Sequence, residues 1–86
     1  MKHAGAAALD RLEPILIRLR GFPALKEKAR GTFYVKSRAF LHFHEDPAGL
    51  FADLRAHDGP DFDRMRVETE DERAALMERV ESYLLP

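Results

Sequence analysis

Apolar residues recur at helical spacing in two segments, one near each end of the chain. The first stripe lies within residues 4–20, and Gly21 is placed to end a helix there. The second follows a Thr-x-x-Glu sequence, which is typical of a helix N-terminus, so we expect that helix to begin at a Thr69 cap. The stripes comprise Leu9, Leu12, Leu16 and Leu19 in the first helix, and Leu76, Met77, Val80, Tyr83 and Leu84 in the second.

Pro14 falls inside the first predicted helix. Proline removes one backbone hydrogen bond and bends a helix axis. The sequence therefore leaves two alternatives: a helix over 4–20 that is kinked at Pro14, or a helix that begins near Asp10, whose carboxylate would cap it together with Glu13. Residues 1–8 are then a frayed helix start.

Between the two helices, apolar and polar residues alternate, which is typical of strands. In the second of four predicted strands, one face carries Ala39, Leu41 and Phe43, and the other carries Phe40, His42 and His44. Residues 21–31 are interpreted as a basic connection, and tight turns are expected at Ser37–Arg38 and within 56–61. The four predicted strands are Thr32–Lys36, Ala39–Glu45, Leu50–Arg55 and Phe62–Glu68.

The element order predicts an α+β fold. It reads α-β-β-β-β-α, and short connections favour antiparallel neighbours. We expect a four-stranded antiparallel sheet packed against two helices, in a single domain over residues 1–86.

The sequence Asp46-Pro47-Ala48-Gly49 is the clearest turn signal, since each residue type suits its position in a type I turn. A four-residue loop here places His42 opposite Asp53, and one extra bulged residue would place Phe43 there instead. We favour the first register.

Composition narrows the functional classes. The chain has 86 residues, a net charge of −1 and no cysteine, which excludes disulfides, thiolate catalysis and cysteine-ligated metals. There is no membrane-length apolar run and no GxGxxG, P-loop, GxSxG or HExxH sequence. We expect a cytoplasmic protein without a cofactor. A domain of this size is marginally stable alone, and Phe40 on an otherwise polar face suggests covering, so we expect a homodimer.

Charge is unevenly distributed. Residues 1–44 have a net charge of +6 and residues 45–86 a net charge of −7. A basic cluster could bind phosphate backbones or an acidic partner. We favour the alternative, in which the two halves face each other and cancel or the cations are ordinary solvated residues. The candidate binding residues of this cluster are Arg18, Arg20, Lys26, Lys28, Arg30 and Arg38, with Lys36 among them.

A second candidate site is the His42-x-His44 sequence, followed by Glu45 and Asp46. Two histidines at i and i+2 of a strand project from one face, and Asp53 across the hairpin is placed to complete a ligand set or orient an imidazole. The alternative is a solvated sheet surface on which Asp53 is a weak charge pair.

Most of the chain resembles small bacterial α+β domains. The shared pattern is a Gly-x-Pro after the first helix, then GTFY (31–34), AFLHFHEDPAGLFADLR (39–55) and RMRVETEDE (64–72). It is similar to MmcQ/YjbR-type domains, which implies a small antiparallel sheet with helices and proposed DNA binding. It also resembles luciferase-domain proteins, which share an H-x-H strand followed by Asp, although their long insert is missing here. Neither resemblance implies an established activity, so no catalytic residue is carried over.

The sequence favours a non-enzymatic binding or regulatory domain that acts through protein interaction as a dimer. The alternatives are a small-ligand or metal site at His42, His44 and Asp53, and nucleic-acid binding through the basic cluster.

Overall fold

The computed structural model describes residues 2–56 and 59–85. The predicted α+β class, with two helices and an antiparallel sheet, is confirmed, but the sheet has six strands rather than four. Five strands lie in the order β2-β3-β4-β5-β6, and β1 pairs with β4. The elements are β1 (Lys2–His3), α1 (Ala6–Arg20), β2 (Lys26–Ala29), β3 (Thr32–Val35), β4 (Arg38–Asp46), β5 (Gly49–Leu54), β6 (Asp63–Arg66) and α2 (Glu70–Leu84).

The two additional strands lie where the sequence shows no strand pattern. Strand β2, within the predicted connection, is a charged strand that pairs with β3 at the edge of the sheet, so no alternation marks it. Strand β1 replaces part of the predicted frayed helix start. Its pairing with β4 is extended by the Ala4 amide, which donates to the Phe43 carbonyl, and by the Gly5 amide, which donates to the Glu45 carboxylate.

Helix α1 runs from Ala6 to Arg20 with Pro14 inside it, so the alternative of a start near Asp10 is wrong. The predicted apolar stripe lies in the core, and Gly21 follows the last helical residue as expected. Helix α2 begins at the predicted capping box. The Thr69 side chain accepts from the Glu72 amide, and the Glu72 carboxylate accepts from the Thr69 amide.

Both helices contribute to the same hydrophobic core, which covers one face of the sheet. We call this the core face; its fully buried strand residues include Phe33, Leu41 and Leu54. The opposite, open face carries a row of directly paired residues across four strands: Thr32, His42, Asp53 and Arg64. Neither helix is long and apolar enough to cross a membrane, within the described residues.

The predicted grouping of Phe40 with His42 and His44 is wrong. Phe33 pairs with Leu41 while Tyr34 pairs with Ala39, so Phe40 is an extra residue in β4. Such a bulge interrupts the alternation of side chains. Phe40 is therefore buried in the core, with its ring against Tyr83 of α2.

The turns differ from expectation by small shifts. The β3–β4 turn consists of Lys36 and Ser37, both with positive φ, rather than Ser37 and Arg38. The Asp46–Gly49 turn forms as predicted, with the Ala48 amide donating to the Asp46 carboxylate. The predicted turn over 56–61 lies partly outside the described residues, because it includes residues 57 and 58.

Candidate metal centre

The hairpin of β4 and β5 brings the predicted histidines and aspartate together. His42 is directly opposite Asp53, which is the favoured register, and the alternative with Phe43 at this position is wrong. His44 follows two residues later on the same strand and therefore lies on the same face. The regular ladder from Leu41 to Asp46 fixes this arrangement, because a shift by one residue would move every side chain to the opposite face.

The three side chains form one polar contact group. His42 Nδ1 is 2.9 Å from His44 Nε2, and His44 Nε2 is 3.0 Å from Asp53 Oδ2. His42 Nδ1 is 3.9 Å from the same carboxylate oxygen. The side chains of His42, His44 and Asp53 are only 18%, 12% and 8% exposed, so this is not a solvated sheet surface.

A third histidine joins the group from the N-terminus. His3 pairs with His44 across the β1–β4 ladder, and their rings stack with centroids 4.7 Å apart. Each of His3, His42 and His44 offers one ring nitrogen, and these three nitrogens lie within 4.8 Å of one another. Sequence reasoning missed His3, because a lone histidine 39 positions upstream has no spacing signal. The short polar segment before α1 is the only hint that it pairs as a strand.

Asp53 is held from its other side by Arg64 on β6. Arg64 Nε and Nη2 donate to the two carboxylate oxygens at 2.7 and 2.8 Å, a bidentate arrangement. These hydrogen bonds hold the pKa of Asp53 below its ordinary value, so the carboxylate is charged at neutral pH. Because both oxygens are engaged, Asp53 is suited to orient an imidazole rather than to act as a free ligand.

The position of the Asp53 carboxylate selects the tautomer of His44. An ionised oxygen 3.0 Å from Nε2 favours a proton on that nitrogen, which leaves the lone pair of the neutral ring on Nδ1. That Nδ1 atom is buried and has no hydrogen-bond partner in the part of the chain that the structure describes. A buried polar atom without a partner is uncommon and calls for a ligand or a water.

His42 is held in its neutral form. Burial of the ring lowers its pKa below the ordinary histidine value, against the opposing effect of Asp53. Phe62 packs edge-on against the ring, with centroids 4.7 Å apart. A neutral imidazole is the form that binds metals, so His42 is ready to ligate at neutral pH.

The other two acidic residues predicted near this site have different roles. Glu45 accepts from the Gly5 amide at 2.6 Å and is 3.9 Å from Lys2, so it fastens β1. Asp46 accepts from the Ala48 amide and stabilises the turn. Three surface concavities of about 490, 270 and 340 Å³ have linings without His3, His42 or His44.

The predicted basic cluster does not form one surface. Arg20 binds Glu13 and Glu27, which raises the arginine's pKa and keeps it paired. Arg30 binds Asp10 and Glu13.

The remaining cations of the cluster lie apart. Arg18 borders a concavity between the two helices, together with Arg73. Arg38 donates to the Gly59 carbonyl. Lys26, Lys28 and Lys36 line a separate concavity at the edge of the sheet.

Comparison of the chain with known protein families, with curated protein sequences and with solved structures gave no match. The resemblances inferred from the sequence patterns therefore stay predictions, and the case for function depends on the geometry of the site.

Proposed function

We propose that this protein binds a divalent transition-metal ion through the imidazoles of His3, His42 and His44. The observation that carries the proposal is the convergence of three ring nitrogens within 4.8 Å. Imidazole nitrogens suit Zn²⁺, Cu²⁺ and Ni²⁺ and do not suit Mg²⁺ or Ca²⁺, which prefer oxygen.

The required adjustment of the side chains is small. Two nitrogens bound to one tetrahedral zinc, each ~2.0–2.1 Å from it, are about 3.4 Å apart. His44 binds through Nδ1, because its Nε2 donates to Asp53. The outer limit of 4.8 Å between the ligand nitrogens must close to this separation. Rotation of the exposed His3 ring on its two-residue strand can supply most of this movement.

Asp53 orients a ligand by accepting a hydrogen bond from the His44 ring rather than by binding the metal itself. A metal-bound histidine commonly donates its second ring N–H to a carboxylate, which fixes the tautomer and strengthens the ligand. The contact from His44 to Asp53 has this form, and Arg64 holds the carboxylate in position. Three histidines leave a fourth position for water or another group, which is the pattern of an open site rather than a closed structural one.

Metal binding is tested by thermal unfolding with and without Zn²⁺. A ligand at 100 times its dissociation constant stabilises the native state by about 2.7 kcal/mol. For a domain of this size, that stabilisation raises the melting temperature by about 10 °C or more. Replacing His3 with Ala should weaken zinc binding at least tenfold, measured by competition with a chelator.

Lys2→Ala is the matched control, because it alters the same short strand without removing a nitrogen ligand. It should bind zinc like the unmodified protein. Zinc that leaves the melting temperature unchanged, or His3→Ala that binds as tightly as Lys2→Ala, would exclude the three-histidine site.

Action through protein interaction as a homodimer stays a separate prediction. One of its sequence arguments is withdrawn, since Tyr83 of the same chain covers Phe40. Sedimentation at about 50 μM, a concentration at which a functional dimer is populated, tests it directly. A species of 9.9 kDa alone would contradict the dimer.

A further inference from the structure

A concavity of about 340 Å³ lies at the β2–β3 edge of the open face. Tyr34 is two residues from Thr32, which pairs with His42, so Tyr34 faces the same side of the sheet as the histidines. Lys26 pairs directly with Tyr34. We call this concavity the lysine pocket; Lys26, Lys28, Tyr34, Lys36 and Ser37 form its polar lining.

We propose that the lysine pocket binds the phosphate group of a small phosphomonoester. Its three ammonium groups match a dianion, and lysine is a common phosphate ligand that acts as a point charge. Tyr34 and Ser37 add hydroxyl donors, and the Tyr34 ring offers an apolar surface to an organic substituent.

The first support is that these cations lack acidic partners. In residues 2–56 and 59–85, no carboxylate oxygen lies within 4.0 Å of the Lys26, Lys28 or Lys36 ammonium group. By contrast, Arg20 and Arg30 together bind three carboxylates, those of Asp10, Glu13 and Glu27. The chain has a net charge of −1, yet among the described residues no acidic side chain pairs with these three lysines.

The second support is that part of the pocket is already ordered. The Lys28 ammonium group lies over the Tyr34 ring, 4.4 Å from its centroid. This cation–π contact restrains a side chain that would otherwise lose conformational freedom on binding an anion.

The third support is the turn at the rim of the pocket. Lys36 has a φ of 50° and Ser37 a φ of 71°, which is the pattern of a type I′ turn. Such turns favour Asn and Gly, and other residues are strained there. Strain of this kind tends to persist where the side chains serve a function, and here they supply a cation and a hydroxyl to the pocket.

A small ligand fits these observations better than nucleic acid does. A nucleic-acid surface needs cations that follow several successive phosphates. The other cations of the predicted cluster are either paired or located elsewhere, so the lysine pocket is an isolated site that suits one phosphate group.

The test is a titration with phenyl phosphate and with inorganic phosphate, followed by backbone amide NMR shifts at constant ionic strength. EDTA is present throughout, so the outcome does not depend on metal binding. We expect saturable shifts at Lys28, Tyr34 and Ser37. Lys28→Gln combined with Lys36→Gln should weaken binding at least tenfold.

The matched control is Arg18→Gln, which removes an exposed cation outside the lysine pocket and should bind phenyl phosphate normally. Shifts that do not saturate, or equal losses in the control and the lysine variants, would overturn the proposal. Binding of duplex DNA without binding of either phosphate compound would also overturn it, in favour of nucleic acid.

Discussion

The two faces of β4 differ in both shielding and chemistry. On the core face, Leu41 is fully buried and Phe43 is 2% exposed, within an apolar cluster shared with both helices. On the open face, His42 and His44 are only partly buried, at 18% and 12% exposed, and they contact each other, His3 and a charged carboxylate. Burial of polar groups gains little stability and can cost some, so the histidine arrangement is better explained by binding than by folding.

The largest expected effect contrasts the two faces directly. Leu41→Ala should lower the free energy of unfolding by about 2–5 kcal/mol, because it removes buried methyl groups and leaves a cavity. In metal-free buffer, His44→Ala should cost about 1 kcal/mol or less, since it removes one hydrogen-bonded ring and relieves an unpaired nitrogen. Urea unfolding in EDTA measures both. Equal losses would mean that the histidine face stabilises the fold as much as the core does.

The next effect concerns how the open face supports its ligands. Asp53→Asn should weaken zinc affinity by about 10–100-fold, since it removes the charged acceptor of the His44 ring N–H. Arg64→Gln keeps that carboxylate but removes the bidentate contact that holds it in position, so its zinc affinity should fall less than that of Asp53→Asn. Chelator competition measures both variants. Unchanged affinity in Asp53→Asn would assign Asp53 to the fold alone.

A third change should affect stability without affecting the open face. Thr69→Ala should cost about 1 kcal/mol, because it removes the side-chain half of the capping box at α2. Zinc binding should be unaltered. A double-mutant cycle with Glu72→Ala should show coupling, and its absence together with no loss of stability would contradict the capping role.

The smallest expected effect on stability concerns Glu27, a β2 residue that contacts the β2–β3 turn. Glu27 accepts from Arg20 and from the Gly31 amide, and these contacts hold its pKa below the ordinary value. A depressed folded-state pKa contributes stability that is present above the unfolded pKa and is lost as pH falls through the folded pKa.

Glu27→Gln should therefore lower stability by less than about 1 kcal/mol at pH 7, with screening by solvent taken into account. The difference from the unmodified protein should shrink as the pH is lowered below the ordinary glutamate pKa. Urea unfolding across this range measures it. A difference that grows in acid would reverse the assigned sign.

The sequence predicts the features that follow from local rules. The Thr69 cap, the Asp46–Gly49 turn and the pairing of His42 with Asp53 each depend on a few adjacent residues, and each is confirmed. The charged residues of β2 lack alternation, so the sequence does not predict a strand there. The sequence also does not predict the Phe40 bulge, which packs Phe40 against Tyr83, a residue distant in the chain.

His3 shows the same limit at the candidate metal centre. Two of the three proposed ligands, His42 and His44, lie in the H-x-H spacing of β4, which the sequence identifies. The remaining ligand comes from β1, whose pairing with β4 depends on contacts such as the one between Gly5 and Glu45. Non-local pairing of a two-residue strand leaves no pattern in the sequence.

X-ray absorption spectroscopy of the zinc-loaded protein tests the central claim most directly, because it reports the type and number of the ligands. The account predicts three imidazole nitrogens at ~2.0–2.1 Å, with a fourth light atom from solvent. His3→Ala should reduce the imidazole count to two, whereas Lys2→Ala should leave it at three. A shell dominated by carboxylate oxygens, or an imidazole count that His3→Ala does not change, would contradict a metal centre built from His3, His42 and His44.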